Sequence, residues 1–208
     1  MSPQITRKLL QTVSNLLHPL FMMTYGTAAL MYFTPLYLLP SRVKLFLLGV
    51  VFFFTCLVPV FCITVLYLLR IVKHWALRDR GDRGIPLALN AVSYIVCARL
   101  LSEVSILPPW ALAIYYGGAA MAVLGWIISL WWKVSAHAMG IASLATACFG
   151  LALRFPFAMP AWLPLLLIVL AGLLCSIRLY LQRHTLMQVT VGAAIGEVAM
   201  IVAFWWGL

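Results

Sequence analysis

Seven long apolar runs, separated by short polar or proline-containing breaks, dominate the pattern of side chains along this chain. A bilayer hydrocarbon core about 30 Å thick is crossed by a helix of roughly 20 apolar residues. By that measure the runs predict seven transmembrane helices, over residues 17–39, 43–69, 86–105, 109–132, 138–155, 160–181 and 186–207. The expected fold class is therefore an all-α integral membrane protein, a bundle of about seven transmembrane helices that forms one domain over residues 1–208.

The segment before the first run has a different pattern. Ile5, Leu9 and Val13 recur at helical spacing beside the cations Arg7 and Lys8, which is typical of an amphipathic helix lying in the membrane interface. We expect residues 1–16 to form a short interfacial segment, and the alternative is a plain helical start to the first span. The fifth span is rich in glycine and alanine, so we expect it to pack inside the bundle.

The composition excludes a soluble domain. Of the 208 residues, 65% are hydrophobic and only 9% are charged, and the mean hydropathy is +1.09. So few charged side chains cannot cover a water-facing surface. The cysteines all lie inside apolar runs, which indicates core residues rather than disulfides or metal ligands.

The chain is strongly basic, with a formal net charge of +10. Its cations lie between apolar runs, which favours lipid head groups or a phosphorylated lipid as ligands and argues against nucleic acid. Seven spans would place the N-terminus and segments 70–85, 133–137 and 182–185 on one membrane face, here called the basic face. The positive-inside rule would make this face cytoplasmic, whereas cations that bind substrate carry no information about orientation.

Lys133, Ser135 and His137 stand together where the fourth predicted span gives way to the fifth. A helix that begins near Ser135 would present unpaired amides and the positive end of its dipole to an anion. With the hydroxyl and the ammonium, these groups would form a phosphate cradle. The alternative is an ordinary N-cap serine beside an interfacial histidine.

Arg178, His184 and Gln188 recur where the sixth predicted span meets the seventh. His184 and Gln188 are one helical turn apart, so the amide can hydrogen-bond to the imidazole and fix its tautomer. The alternative is structural, because an arginine near a helix end is typically an anchor that extends to the membrane interface.

The loop over residues 70–85 adds Lys73, Arg80 and Arg83 to the basic face. Guanidinium groups bind phosphate oxygens in pairs, and the alternative is a charge cluster that stops membrane insertion. Taken together, the basic face offers two histidines, a serine at a helix start and several cations. Phosphoryl transfer through histidine needs this set: a neutral imidazole as nucleophile, a second histidine as acid and base, and cations around the oxygens.

The arrangement resembles the type 2 phosphatidic acid phosphatase superfamily of membrane lipid phosphatases, whose signature has three blocks: K-x6-R-P, P-S-G-H and S-R-x5-H-x3-D. The third block is matched by Arg178, His184 and Gln188, with Gln188 at the aspartate position. The second is matched as Val134-Ser135-Ala136-His137, and the first as Lys73-x6-Arg80 with Gly81 in place of the proline.

A second register of the first block, Asp79-Arg80-x2-Arg83-x2-Pro86, resembles a bacterial branch of the same superfamily. The opening His18-Pro19 and Tyr25-Gly26 pairs are similar to that branch as well. The resemblance extends from about His18 to Gly196. It implies a six-helix phosphatase-like core in the bacterial cytoplasmic (inner) membrane, crossed several times by the chain.

The resemblance also implies roles for the residues of the basic face. His184 would be the nucleophile that forms a phosphohistidine, His137 would protonate the departing lipid alkoxide and then activate water, and Gln188 would orient His184. The phosphoryl oxygens would be held by Arg178, Ser135, Arg80, Arg83, Lys73 and Lys133. The resemblance implies no metal and no cofactor, and the expected partners are membrane lipids and a lipid phosphate or diphosphate substrate.

Gln188 is the main departure from the pattern, because a neutral amide can orient His184 but cannot stabilise its cationic form. It leaves open a second class of function, a catalytically weak or inactive phosphatase-fold subunit that serves as a structural or lipid-binding scaffold in a larger membrane complex. A transporter or flippase is a third class, disfavoured because no interrupted-helix pair or inverted repeat is evident. The joint presence of Ser135, His137, Arg178 and His184 favours catalysis.

Overall fold

The computed structural model describes residues 3–74 and 81–207. These residues form helices and contain no strand, which confirms the all-α class. The helices of this part of the chain are α1 (Pro3–Leu16), α2 (Pro19–Phe33), α3 (Ser41–Phe52), α4 (Val58–Leu68), α5 (Gly84–Ser102), α6 (Pro109–Trp131), α7 (Ala136–Arg154), α8 (Trp162–Tyr180) and α9 (Leu186–Trp206).

Six helical segments of the described ranges are long and apolar enough to cross a membrane, which indicates a multi-pass membrane protein. The first is Ser41–Leu68, in which one π-helical turn over Phe53–Leu57 joins α3 to α4, and the others are α5 to α9. Large apolar side chains point outward from these helices, such as Phe61 at 68% and Val169 at 67% exposure. Such a surface is suited to lipid rather than water.

The predicted count of seven spans is not confirmed, because the first apolar run is interrupted at Thr34. The run begins with α2, which has 15 residues and is about 22 Å long at 1.5 Å per residue. Pro35 then begins a short 3-10 helix over Pro35–Leu38. Proline disfavours helical backbone in the preceding residue, and Thr34 is accordingly extended, with its hydroxyl donating to the carbonyl of Leu30 at 2.6 Å.

The N-terminal helix α1 is separate from α2, because Leu17 and His18 between them are not helical. Its apolar residues Ile5, Leu9 and Leu16 are exposed, and α1 packs against α8. This geometry suits a helix that lies along the membrane surface, and the interfacial location of residues 1–16 stays a prediction.

The central helix is α7, which is the most buried of the six spans and packs against α2, α8 and α9. This confirms the prediction that the small residues of the fifth run place it inside the bundle. Gly192 and Gly196 of α9 permit the closest approach. A Cβ atom at Gly192 would lie 2.8 Å from the carbonyl oxygen of Ser135, and a Cβ at Gly196 would overlap the carbonyl of Met139. The α7–α9 contact therefore fixes the start of one helix against the start of the other.

Gly196→Ala is expected to push α9 away from α7, because the new methyl group would overlap the Met139 carbonyl. Overpacking of this kind destabilises by about 1–3 kcal/mol, so the thermal unfolding midpoint in detergent should fall by several degrees. Gly172→Ala in α8 is the matched control, since a Cβ there meets nothing within 4 Å. Equal midpoints for the two variants would contradict the role given to Gly196.

Candidate active site

Segments that are distant in the sequence meet at one end of the bundle, around the starts of α7 and α9. The backbone N–H of Ser135 donates to the carbonyl of Gln188 at 3.1 Å. The ammonium of Lys133 donates to the carbonyl of Arg183 at 2.7 Å. The loop before α7 and the turn before α9 are thus joined directly.

His184 lies in the tight turn between α8 and α9. Gln182 adopts left-handed backbone with φ of 53°, and the N–H of Arg183 donates to the carbonyl of Arg178 at 3.1 Å. The turn folds the chain back over the last residues of α8. As a result, the charge of Arg178 acts on the imidazole of His184.

Gln188 determines which nitrogen of His184 carries the proton. The first turn of α9 is a capping box, in which the side-chain oxygen of Gln188 accepts the N–H of Thr185 at 3.3 Å. An atom that accepts a hydrogen bond from a backbone N–H must be the oxygen of the amide. This Oε1 also lies 3.1 Å from Nδ1 of His184. Because an amide oxygen can only accept, Nδ1 must be the nitrogen that carries the hydrogen. Nε2 of His184 therefore keeps its lone pair, which is the state required of a nucleophile.

The electrostatic surroundings keep His184 neutral. Burial of the ring, followed by the charges of Arg178 and Lys133, lowers its pKa to about 4, and Arg83 adds to this effect. The hydrogen bond to Gln188 acts in the opposite direction and is outweighed. An unperturbed imidazole has a pKa near 6.5, so His184 is unprotonated over the whole neutral range.

His137 is the second residue of α7 and belongs to the same cluster. Its imidazole hydrogen-bonds to the backbone of Ser14 and interacts electrostatically with Arg178 and His184. Ser135 is fully buried and caps α7, its hydroxyl oxygen accepting the N–H of Ala138 at 3.4 Å. Ser135 therefore has the N-cap role that the sequence offers as the alternative to phosphate binding. Its hydroxyl hydrogen is still available to an acceptor.

The cluster is strongly positive. Burial, followed by the charges of Arg83, Arg178 and Arg183, lowers the pKa of Lys133. No carboxylate in the described ranges is among the groups that act on Lys133 or His184. The Nε of Arg178 is buried without a hydrogen-bond partner. Several cations are thus held close together, and such a group forms a site suited to an anion.

Comparisons with family models, with curated proteins and with solved structures found no match for this chain. In residues 3–74 and 81–207, no group of three or more His, Cys, Asp or Glu side chains is placed to hold a metal ion.

Two predicted phosphate-binding residues are not placed in the cluster. Arg80 lies outside the described residues. Lys73 is exposed, and its backbone N–H donates to the carboxylate of Asp82 at 3.0 Å. The ammonium of Lys73 is not among the charges that act on His184. Arg83, the residue just before α5, is the member of the basic loop that the structure brings to the cluster.

The sequence indicated no site role for two residues of the cluster: Ser14 was not named, and His18 was named only for its resemblance to the bacterial branch. The guanidinium of Arg178 donates to the hydroxyl of Ser14 at 3.2 Å across a separation of 164 residues, and no local pattern indicates such a contact. His18 caps α2 and packs against His137, with ring centroids 5.1 Å apart. Its position before Pro19 gave a signal, because a proline at the first helical position marks the preceding residue as the N-cap.

His184 is expected to remain neutral down to about pH 4, where its burial and its cationic neighbours place its pKa. Arg178→Gln should raise the pKa of His184, because it removes the positive charge that acts most strongly on the imidazole. Histidine side-chain resonances of isotope-labelled protein, followed by NMR between pH 3.5 and 8, measure both. Arg7→Gln in α1 is the matched control. A pKa near 6.5 in the wild-type protein, or no change in Arg178→Gln, would contradict the electrostatic description.

Proposed function

We propose that this protein is a metal-independent membrane phosphatase that hydrolyses a lipid phosphate or diphosphate through a phosphohistidine intermediate on His184. One observation carries the proposal: two histidines and several cations converge at the end of the bundle, and no carboxylate of the described residues is among the groups that act on Lys133 or His184. The resemblance of the three sequence blocks to a family of lipid phosphatases supports it. We place the protein in the bacterial inner membrane on the same resemblance.

The phosphoryl group would be bound by the positive charges and by the start of α7. Arg178, Lys133 and Arg83 supply the charges, and Ser135 supplies a hydroxyl donor. The first amides of α7 face the same end, where a helix favours an anion. Cations around the equatorial oxygens stabilise the charge that develops as the bond to the leaving oxygen lengthens.

The chemistry then divides into two displacements. Nε2 of neutral His184 attacks phosphorus, the bond between phosphorus and the lipid oxygen breaks, and His137 gives its proton to the departing alkoxide. His137 next takes a proton from water, whose oxygen attacks phosphorus and breaks the bond to Nε2. Phosphate leaves, and both histidines return to their starting states. The negative charge of the bound phosphate favours the protonated form of His137 that the first step requires.

A second candidate function is a catalytically weak or inactive scaffold in a larger membrane complex. The observation that favours it is the environment of Gln188, whose oxygen is shared between Nδ1 of His184 and the N–H of Thr185. A neutral acceptor with two donors stabilises an imidazolium less than a carboxylate does. The two candidates make opposite predictions for covalent phosphorylation.

His184→Ala is expected to lower phosphate release by about 10³-fold or more, because it removes the attacking nitrogen. Purified protein in mixed micelles is assayed with phosphatidate, phosphatidylglycerophosphate, polyprenyl diphosphate and lipid A phosphates, with and without EDTA. A base-stable, acid-labile phosphoenzyme should form on the wild-type protein and on His74→Ala, whose histidine is exposed. Loss of activity with EDTA, or turnover by His184→Ala, would refute the mechanism. Inactivity of the wild-type protein on every substrate would favour the scaffold.

Gln188→Glu is expected to raise kcat about tenfold, because an anion beside Nδ1 stabilises the cationic imidazole that forms during attack. Glutamate has the length of glutamine and suits the third position of a capping box, so α9 should keep its start. Gln188→Ala should lower kcat while the fold is kept, which circular dichroism and the unfolding midpoint verify. Wild-type kcat in both variants would exclude Gln188 as the residue that orients His184.

A further inference from the structure

His18 stands at the junction of α1 and α2, outside the residues given a role in phosphoryl transfer. It is the N-cap of α2, and its Nδ1 accepts the N–H of Leu20 at 3.4 Å. Because an acceptor nitrogen carries no hydrogen, the proton of the neutral ring is on Nε2. The cap thus fixes both the position and the tautomer of this imidazole.

The ring of His18 packs directly against the ring of His137. Their centroids are 5.1 Å apart and their planes are inclined by 78°. On the same ring, Phe21 makes a second edge contact, with centroids 6.5 Å apart and planes inclined by 73°. Edge-to-face packing of this kind is a preferred geometry for rings, so His18 is held in place and limits how His137 can turn.

A hydrogen bond to α1 is a second restraint on the ring of His137. Its imidazole hydrogen-bonds to the backbone of Ser14 in α1. The charged or titratable groups that face it are Arg178 of α8, His184 of the following turn and His18 itself. Ser14 and His18 therefore both restrict the ring without adding a fixed charge.

We propose that His18 is a positioning residue for His137, which holds that imidazole with one nitrogen on the Ser14 carbonyl and the other facing the leaving group of the substrate. The catalytic consequence rests on the proposed function, whereas the restraint on the ring does not. Burial, followed by the charge of Arg178, lowers the pKa of His18. A neutral His18 adds no repulsion when His137 takes up a proton.

His18→Asn and His18→Phe separate this role from helix capping. Asparagine is a strong N-cap and keeps an acceptor for the Leu20 N–H, but it has no ring. Phenylalanine keeps a ring against His137 but cannot accept the Leu20 N–H. His18→Ser is a second ringless cap, which replaces the asparagine variant if the latter does not fold.

The first measurement is independent of activity. Nitrogen chemical shifts of the His137 ring, assigned by comparison with His137→Ala, report its tautomer at neutral pH. The wild-type protein should show one tautomer, the ringless variants a mixture, and His18→Phe a pattern close to the wild type. A single unchanged tautomer in His18→Asn, or in His18→Ser if that variant is used, would overturn the proposal and leave His18 as a helix cap.

The second measurement is turnover with two leaving groups. Loss of positioning should lower kcat of the ringless variant about tenfold on a lipid phosphate, whose alkoxide needs a proton from His137. The same variant should keep most of its rate on an aryl phosphate, which leaves unprotonated. An equal loss on both substrates, or no loss, would refute positioning of His137. If the wild-type protein turns over neither substrate, the proposed phosphatase fails, and the nitrogen shifts alone decide the restraint.

Discussion

The close packing of α9 on α7 is the constraint on which the rest of the structure depends. Gly192 and Gly196 have no side chains to separate the two helices. The backbone N–H of Ser135 can then donate a hydrogen bond to the carbonyl of Gln188. Each helix begins at this contact with its own polar cap. Two histidines that follow different predicted spans become neighbours because two helix starts are docked together, so backbone geometry forms the candidate site.

A concentration of positive charge is the second feature that defines this end of the bundle. Arg178 and Arg83 act on Lys133, and all three act on His184. The folding of the bundle holds this group together against its own repulsion. An anion relieves that repulsion, and a phosphate does so while presenting an atom that an imidazole can attack. In the proposed function, the positive charge and the imidazole of His184 therefore favour the same class of ligand.

Gln188 shows how local folding and the proposed catalysis compete for one side chain. Its oxygen closes the capping box with Thr185 and also fixes the tautomer of His184. A helix start needs only an acceptor at this position, whereas a phosphohistidine is helped by a negative charge. Glutamine satisfies the first requirement fully and the second in part. The same residue therefore supports the proposed nucleophile and also explains why a scaffold is the rival proposal.

The sequence by itself determined the class of fold and six of the spans, because the thickness of a bilayer sets the length of an apolar helix. The pattern predicted too long a first span, because hydrophobicity does not report the end of the helix that Pro35 imposes at Thr34. Spacing along single segments also identified His137 and His184, which lie beside polar caps. Only the tertiary structure brought Ser14 to Arg178 and His18 to His137. Those contacts join residues that are far apart in the sequence, and they follow from how helices pack, which no local pattern of residues specifies.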